Sequence, residues 1–337
     1  MNINLVDICV GLNWGDEAKG KIVSQLAKSQ KYNYVCRWGG GDNAGHTVYV
    51  NNIKYVTHLI PCGIFYNIPS IIGPGCVVNI DSFNKEIEYL KKNNFNTDLV
   101  KISPKAHIIT NKHLEKDKKN FKNNCSTSKG ISPCYTDKYS RTGIQAIDIY
   151  SLRNYIWDET LEGNILCEGA QGFWLDIDHG NYPYVTSSNT LPYAACSLGF
   201  PTNLIKNIYG ASKIYDTRVG FDPLFPESLL DNSELQSISK YGNEIGATTG
   251  RQRKVNWLNV DKLIKSINIS GTTHVIISKT DILFDLKLFK IIHENKTVTF
   301  NTLKEMEAYI LNIIMKECRF VKKILFSNNV ETVNNLI

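Results

Sequence analysis

Apolar and polar positions along the chain alternate between strand-like and helix-like patterns. Residues 3–11, "INLVDICVG", form a nearly continuous apolar run typical of a buried strand. In the segment that follows, Ile22, Val23, Leu26 and Ala27 recur with helical spacing. Further strands are predicted in "YNYVCRWGG", "KYVTHLIPCGIF", "SIIGPGCVVNI", "GNILCEGAQGFWLDID", "NIYGASKIYDTRVG" and "THVIISKTDIL". This frequent alternation of strands and helices favours a mixed, largely parallel sheet.

Two later segments are predicted to be helices, and no segment resembles a linker between domains. Residues 81–94 are amphipathic with Asp81 as the predicted N-cap, and residues 302–320 form the last clear helix. The lysine-rich residues 112–130 are interpreted as a solvated helix and loop. We therefore expect an α/β fold. Residues 1–337 would form a single large domain around a mainly parallel central sheet, with helices on both faces and long active-site loops.

Charge and cysteine content narrow the classes of function. The net charge of +6 suits small anionic substrates, but it is too weak and too scattered to predict nucleic-acid binding. Nine cysteines without a C-x-x-C pair indicate buried free thiols in a reducing compartment rather than disulfides or zinc. No run approaches the roughly 18 apolar residues that a membrane helix needs, and the N-terminus does not resemble a signal peptide. We expect a cytoplasmic protein with no membrane partner.

The first glycine-rich turn, "GLNWGDEAKGK" at residues 11–21, follows the first strand and leads into a helix. Backbone N–H groups and the helix dipole make such a turn an anion site, and Lys19 and Lys21 are suited to neutralise phosphate oxygens. The sequence is not a P-loop, because G-x-x-x-x-G-K-[ST] is absent. Asp16 and Glu17 would repel a bare phosphate. Their presence therefore favours a metal ligand or a proton acceptor beside the phosphate.

A second glycine cluster, "RWGGGDNAGHTVYV" at residues 37–50, again follows a predicted strand. It contains His46 between Gly45 and Thr47. A single histidine is usually an ordinary hydrogen-bonded polar residue. Inside a second phosphate-type loop, however, it is a candidate to stabilise a phosphoryl group during transfer.

The two turns together resemble the adenylosuccinate synthetase family. Its patterns run roughly W-G-D-E-G-K-G-K and G-x-N-A-G-H-T. Further matching segments follow in the family's order: "HLIPCGI", "KGISPCYTDKYSRTG", "EGAQGFWLDIDHGNYPYVTSSNT", "TRVG", "GATTGRQRKVNWL" and "SKTDIL". The resemblance implies a ligase of purine nucleotide biosynthesis that joins L-aspartate to C6 of a 6-oxopurine mononucleotide, IMP. GTP and Mg²⁺ would drive the reaction through a 6-phosphoryl intermediate.

The resemblance also implies a role for individual residues. Asp16, His46 and Gln171 match catalytic positions, and Asp16 with the Gly45 carbonyl matches the metal ligands. The donor nucleotide contacts correspond to Gly15, Lys19, Gly20, Thr47, Arg253, Lys279 and Asp281. The acceptor nucleotide contacts correspond to Asn43, Thr127, Arg141, Gln171 and Thr186. The aspartate contacts correspond to Thr248, Thr249, Arg251 and Arg253. Arg141 matches an arginine supplied across a homodimer interface.

Residue chemistry supports two of these assignments. The planar fork of arginine binds a carboxylate through two parallel hydrogen bonds, which suits Arg251 and Arg253 for aspartate. Lys279 is suited to stack on a base. Asp281 is suited to accept from N1 and N2 of guanine, a donor pair that adenine lacks, which favours GTP.

Several positions depart from the family pattern and leave alternatives open. Ala18 replaces a glycine, Leu12 and Asn13 replace a small polar residue and Gln, and Asp42 is an added carboxylate. The chain is compact, like archaeal and viral members, and a phage branch of the family uses dGMP to make a 2-amino product. Asp42 could accept from a 2-amino group. GMP or dGMP as acceptor is therefore one alternative. ATP as donor is another, because "FSNNVETV" only faintly resembles the family segment that packs on the guanine of GTP. A GTP-binding regulator without catalysis is the alternative from a different class.

Overall fold

The central element of the fold is a sheet of eight parallel strands. The computed structural model describes residues 2–119, 126–246 and 250–337. In the main sheet the strands are ordered β16-β13-β10-β1-β9-β2-β5-β7, and every neighbouring pair is parallel. A four-stranded sheet has the order β11-β12-β14-β15, and two-stranded sheets pair β3 with β4 and β6 with β8. The expected α/β fold is confirmed.

The elements have the following bounds. The strands are β1 Ile3–Gly11, β2 Tyr34–Arg37, β3 His46–Val50, β4 Ile53–Thr57, β5 Ser70–Ile72, β6 Val77–Val78, β7 Val100–Ile102, β8 His107–Ile108, β9 Gly163–Glu168, β10 Ile205–Lys213, β11 Tyr215–Arg218, β12 Lys254–Asn259, β13 His274–Ser278, β14 Lys290–His293, β15 Lys296–Thr299 and β16 Lys323–Ser327. The helices are α1 Lys19–Lys28, α2 Ile80–Lys92, α3 Asn111–Lys119, α4 Ile131–Ser140, α5 Ser233–Tyr241, α6 Val260–Ser270, α7 Thr280–Leu286 and α8 Leu303–Glu317.

The central strands bury both of their faces, which explains their nearly continuous apolar sequence. Along β1, Val6, Ile8 and Val10 pack into one hydrophobic core, whereas Cys9 packs into a second core on the opposite face. Successive side chains of a strand point to opposite sides, so one apolar run supplies two cores.

Helix α2 is capped two residues earlier in the chain than the sequence predicts. Its N-cap is Asn79, whose side chain accepts from the Ser82 N–H at 2.9 Å. Asp81 lies in the first turn, so the prediction of Asp81 as the cap is wrong. Both positions suit an acidic or amide side chain, but only the residue before the first helical turn has the extended backbone that a cap requires.

The carboxyl ends of β1, β9, β10 and β13 meet at one edge of the sheet, because Gly11 pairs with Ala211, Cys9 with Glu168 and Lys213 with Ser278. In open parallel sheets, ligands bind at this edge. Among the described residues, no helix is long and apolar enough to cross a membrane.

Candidate active site

The first loop bends sharply between β1 and α1. Gly15, Asp16 and Ala18 adopt left-handed backbone conformations, with φ of 91°, 59° and 66°. Such a conformation costs a residue with a side chain about 1 kcal/mol, so Ala18 stands where glycine would be relaxed. Gly20 has a separate constraint: a Cβ there would lie 2.8 Å from the Thr47 carbonyl oxygen. The first turn of α1 and strand β3 therefore pack too closely for a larger residue at position 20.

The two carboxylates of this loop have different surroundings. Glu17 is buried and accepts from the N–H groups of Asn13 at 3.0 Å and Gly15 at 2.7 Å. Burial raises the pKa of Glu17, although Lys19, whose Nζ lies 3.6 Å away, acts in the opposite direction. The Asp16 side chain keeps about a third of its surface exposed, at 32%. Glu17 thus holds the shape of the loop, and Asp16 is the more exposed of the two carboxylates.

Asp16 forms an ion pair with an arginine from a distant part of the chain. Its Oδ2 accepts from Arg253 Nε at 2.9 Å and lies 2.8 Å from Arg253 Nη2. Burial lowers the pKa of Arg253, but Asp16 and Glu244 outweigh that effect and raise it. One arginine therefore contacts both the candidate base and a second carboxylate, Glu244.

Glu244 is a site residue that sequence reasoning missed. Its Oε2 accepts from Lys213 Nζ at 2.8 Å and Arg253 Nη1 at 2.6 Å, and its Oε1 accepts from Tyr215 and Lys279. Burial alone would raise the pKa of Glu244, but the three cations hold it far below its ordinary value. Burial lowers the pKa of Lys213 to about 8, although Glu244 opposes this. The only sequence signal was an acidic residue two positions before "GATTG".

His46 is buried and pairs through Nδ1 with the carboxylate of Glu168. Glu168 also accepts from the Cys62 N–H at 2.7 Å, which fixes its position. Burial lowers the pKa of His46, while the Glu168 charge beside it acts in the opposite direction. Within the described part of the chain, His46 Nε2 is buried without a hydrogen-bond partner. The contact of Nδ1 with Glu168 thus fixes the orientation of the imidazole, and Nε2 is available to bind a ligand.

Gln171 and Asn43 meet across the site. Gln171 Nε2 donates to Asn43 Oδ1 at 3.2 Å, and the same oxygen accepts from the Gly41 N–H at 3.2 Å. Gln171 has a φ of 57°, and its Oε1 is buried without a partner among the described residues. A buried unpaired amide oxygen is costly, so it marks a group suited to bind a ligand.

A cavity of about 1320 Å³ brings most of the predicted residues together. Those from the two glycine-rich turns that line it are Gly15, Asp16, Lys19, Gly20, Asn43, Gly45, His46 and Thr47. Those from later segments that line it are Thr127, Gln171, Thr186, Arg251, Arg253, Lys279 and Asp281. The predicted nucleotide, aspartate and catalytic residues therefore share one continuous space.

Lys21, which the sequence suggested for neutralising phosphate oxygens, lines the same cavity, and its Nζ contacts the C-terminal segment. Its Nζ donates to Ser327 Oγ and to the Asn329 carbonyl, both at 2.9 Å. Burial lowers the pKa of Lys21 to about 8, although Asp281 opposes this. Lys21 therefore anchors the C-terminal segment beside the donor-base residues, where Asn329 lines the cavity.

Two residues that the sequence suggested for the site, Arg141 and Asp42, do not line the cavity, and two more lie outside the described residues. Arg141 is exposed at the end of α4 and does not line it. Thr248 and Thr249 lie outside the described residues. Asp42 is not a lining residue either. Its Oδ2 accepts from Ser82 Oγ at 2.6 Å and lies 3.5 Å from Lys129 Nζ, while its Oδ1 is buried without a hydrogen-bond partner among the described residues. Because Asp42 does not line the cavity, the structure does not support its contact with a purine 2-amino group.

Known proteins match nearly the whole chain. The adenylosuccinate synthetase family profile matches residues 8–162 and 152–321. The chain is 35% identical to the adenylosuccinate synthetase of Borrelia turicatae over 94% of this chain and 84% of the relative. It is 38% identical to the enzyme of Thermodesulfovibrio yellowstonii over 84% of this chain and 79% of the relative.

Two solved structures share the fold. A fully ligated adenylosuccinate synthetase from Plasmodium falciparum is 28% identical, with a TM-score of 0.83 over 98% of this chain and 99% of that one. The succinoaminodeoxyadenylate synthetase of cyanophage S-2L, bound to dGMP and dATP, has a TM-score of 0.67 over 92% of this chain and 99% of that one. At 18% identity, the likeness to the phage protein concerns the fold alone.

Proposed function

The chain belongs to the adenylosuccinate synthetase family of carbon–nitrogen ligases, and from this premise we propose that it joins L-aspartate to C6 of IMP, driven by GTP and Mg²⁺. The observation that carries this proposal is the single cavity lined by Asp16, His46, Gln171, Arg251 and Asp281. Proton transfer, phosphoryl stabilisation, base reading and carboxylate binding all need groups of these types within reach of each other.

In the first step, Asp16 accepts the N1 proton while the purine O6 attacks the γ-phosphorus. The O6–P bond forms, the bond from the γ-phosphorus to its bridging oxygen breaks, and GDP leaves. His46 Nε2, once protonated, donates to the phosphoryl oxygens, and Glu168 stabilises that protonated imidazole. The Gln171 amide orients O6. This step is required because an amide-like oxygen leaves poorly until it is phosphorylated.

In the second step, the amine of aspartate attacks C6. The C6–N bond forms, the C6–O6 bond breaks, and inorganic phosphate leaves with O6 and takes the proton that the amine loses. Arg251 and Arg253 bind the carboxylates of aspartate, since the planar guanidinium matches a carboxylate with two parallel hydrogen bonds. The donor base lies by Lys279 and Asp281, beside the C-terminal segment held by Lys21.

The proposed metal is Mg²⁺, held by the Asp16 carboxylate and the Gly45 carbonyl. Both are hard oxygen donors, and both residues line the same cavity. Magnesium sites commonly use one or two protein oxygens and complete the shell with phosphate and water, so this donor set fits. When bound, the ion would offset the charge of the donor phosphates.

Parallel assays test the proposed function and its substrate alternatives. Purified protein with Mg²⁺ and aspartate is given IMP, GMP or dGMP, each with GTP or with ATP, and phosphate and succinyl-amino purine are measured. We expect the highest kcat/KM with IMP and GTP. Product only from dGMP or GMP, or only with ATP, would move the assignment to the phage-type alternative. Phosphate release that depends on neither IMP nor aspartate would indicate a GTP-hydrolysing regulator. The comparisons reported above do not favour that function.

Arg251 provides a prediction for aspartate binding. Arg251→Leu should raise the KM for aspartate about 10- to 100-fold and change the KM for IMP little, because a lost charge-assisted pair costs roughly 1.5–3 kcal/mol. Initial rates at varied aspartate measure it. Arg319→Leu is the control, since Arg319 is an exposed arginine that does not line the cavity. An unchanged KM for aspartate in Arg251→Leu contradicts the assignment.

We further propose that residues 1–337 form one catalytic domain that acts as a homodimer. Arg141 is the C-cap of α4, and several apolar side chains near it in the sequence are exposed: Tyr139 at 69%, Tyr150 at 75%, and Ile144 and Ile147. Contiguous exposed apolar residues mark interaction surfaces. A second copy would cover them and receive Arg141 at its acceptor nucleotide.

Mixed dimers test this sharing of sites. Arg141→Leu and Asp16→Ala are each expected to be nearly inactive. Mixed after dissociation, they should regain roughly a quarter of wild-type activity, because half of the dimers are hybrid and each hybrid has one intact site. The matched control mixes Asp16→Ala with Gln171→Ala, both from the same side of a site, and should stay inactive. No recovery in the first mixture counts against Arg141 acting in its partner.

A further inference from the structure

The Glu244 carboxylate joins parts of the active site that lie far apart in sequence. It is 1% exposed and accepts four hydrogen bonds, two at each oxygen. The donors come from different elements: Lys213 from the end of β10, Tyr215 from β11, Arg253 from the residue before β12, and Lys279 from the N-cap of α7.

Three of these donors, Lys213, Lys279 and Arg253, line the substrate cavity, and the last two lie beside other proposed binding residues. Lys279 lines it beside Asp281, at the proposed donor base, and its Nζ lies 2.8 Å from Glu244 Oε1. Arg253 lines it beside Arg251, and its Nη1 lies 2.6 Å from Glu244 Oε2. The other edge of the same guanidinium contacts Asp16.

Resting on the proposed function, we propose that Glu244 is a positioning residue that places Lys279 and Arg253 together and so links the donor-base subsite to the aspartate subsite and to Asp16. The physical reason is rigidity. The two oxygens of one carboxylate have a fixed separation, and a guanidinium is a rigid plane. The position of Lys279 Nζ at Oε1 therefore fixes the position of Arg253 Nη1 at Oε2. Because the guanidinium is planar, this also fixes the position of the edge that contacts Asp16.

This arrangement differs from simple neutralisation of buried charge. A carboxylate that only neutralises the charges of Lys213, Lys279 and Arg253 would need its negative charge, but the length of its side chain would not matter. A positioning carboxylate needs both, because a side chain one methylene shorter cannot contact Lys279 and Arg253 at the same time. Glu244→Asp keeps the charge and loses the reach, so it separates the two roles.

The experiment compares Glu244→Asp with wild-type protein in steady-state kinetics and in calorimetric binding of GTP with Mg²⁺. We expect the KM for GTP and the KM for aspartate each to rise about tenfold, and the KM for IMP to change less than about twofold. The Kd for GTP should rise by a similar factor, as expected for the weakening of one charge-assisted hydrogen bond at each subsite. Glu244→Gln, which keeps the length but loses the charge, should show the same split.

The control is Glu234→Gln, which breaks the ion pair of Glu234 with Lys290 away from the cavity and should change none of these constants. A folded Glu244→Asp variant with all constants unchanged, or with the KM values for GTP, aspartate and IMP raised equally, overturns the inference. The calorimetric measurement separates this result from failure of the proposed function. Even if wild-type protein forms no product, a raised Kd for GTP in Glu244→Asp supports the inference and an unchanged Kd refutes it.

Discussion

Replacing Asp16 by alanine is expected to abolish turnover while leaving the fold intact. Both carboxylates of the first loop line the cavity, but Asp16 is partly exposed, whereas Glu17 is buried and accepts hydrogen bonds from backbone N–H groups. General acid–base catalysis contributes about 10²–10⁴-fold, and Asp16 is also a proposed metal ligand, so a loss of at least about 10³-fold in kcat is expected. Succinyl-amino purine formation measures the loss, and circular dichroism and thermal melting check the fold.

Asp16→Asn refines this test, because asparagine keeps the shape and a hydrogen bond to Arg253 but cannot accept the N1 proton. It should be almost as inactive as Asp16→Ala. Glu234→Gln, a carboxylate change outside the cavity, should keep wild-type kcat. Turnover of Asp16→Asn within about tenfold of wild type would show that the proton goes elsewhere.

Glu168→Gln is expected to lower kcat about 10²-fold and to move the alkaline limb of the kcat–pH profile to lower pH by about one unit. Removal of one donor that stabilises transition-state charge typically costs about 10²–10³-fold. The Glu168 carboxylate favours the protonated form of His46, whose pKa burial already lowers. Without the carboxylate that pKa falls further, so the donating imidazolium is lost at lower pH. Initial rates at saturating substrates across a pH series measure both effects.

Glu86→Gln is a closely matched control for Glu168→Gln. Glu86 is also buried, and it accepts from the N–H groups of His58, Leu59 and Ile60, in the same segment whose Cys62 N–H binds Glu168. Glu86→Gln should lower stability but leave the alkaline limb in place. A pH profile for Glu168→Gln that overlays the wild-type profile would remove the proposed role of the pair.

Much of the fold could be predicted from the sequence, because strands and helices depend on local patterns of apolar residues. The apolar run of β1 and the helical spacing after it predicted the strand and helix that border the first loop, and both are present. The weaker points were boundaries. Asn79 rather than Asp81 caps α2, because capping depends on the backbone conformation of a single residue.

The parts of the site that consist of consecutive residues could be predicted from the sequence. Asp16, His46 and Lys279 lie in short glycine-rich or strand-end segments, and they line one cavity as the motifs indicated. The side chains that pair with these residues could not be predicted from the sequence. Glu168 is 122 positions from His46, and Arg253 is 237 positions from Asp16.

The sequence by itself determined the family, the types of chemical group at the site and the strands and helices that present them, because each depends on residues close together in the chain. Only the tertiary structure decided which groups touch: that Glu17 holds the loop while Asp16 stays partly exposed, that Lys21 binds the C-terminal segment, and that Glu244 collects three cations. Such contacts depend on the order of the parallel strands within the sheet, which brings distant parts of the sequence together. Hydrophobic periodicity reports which face of an element is buried, but it carries no information about which distant element will cover that face.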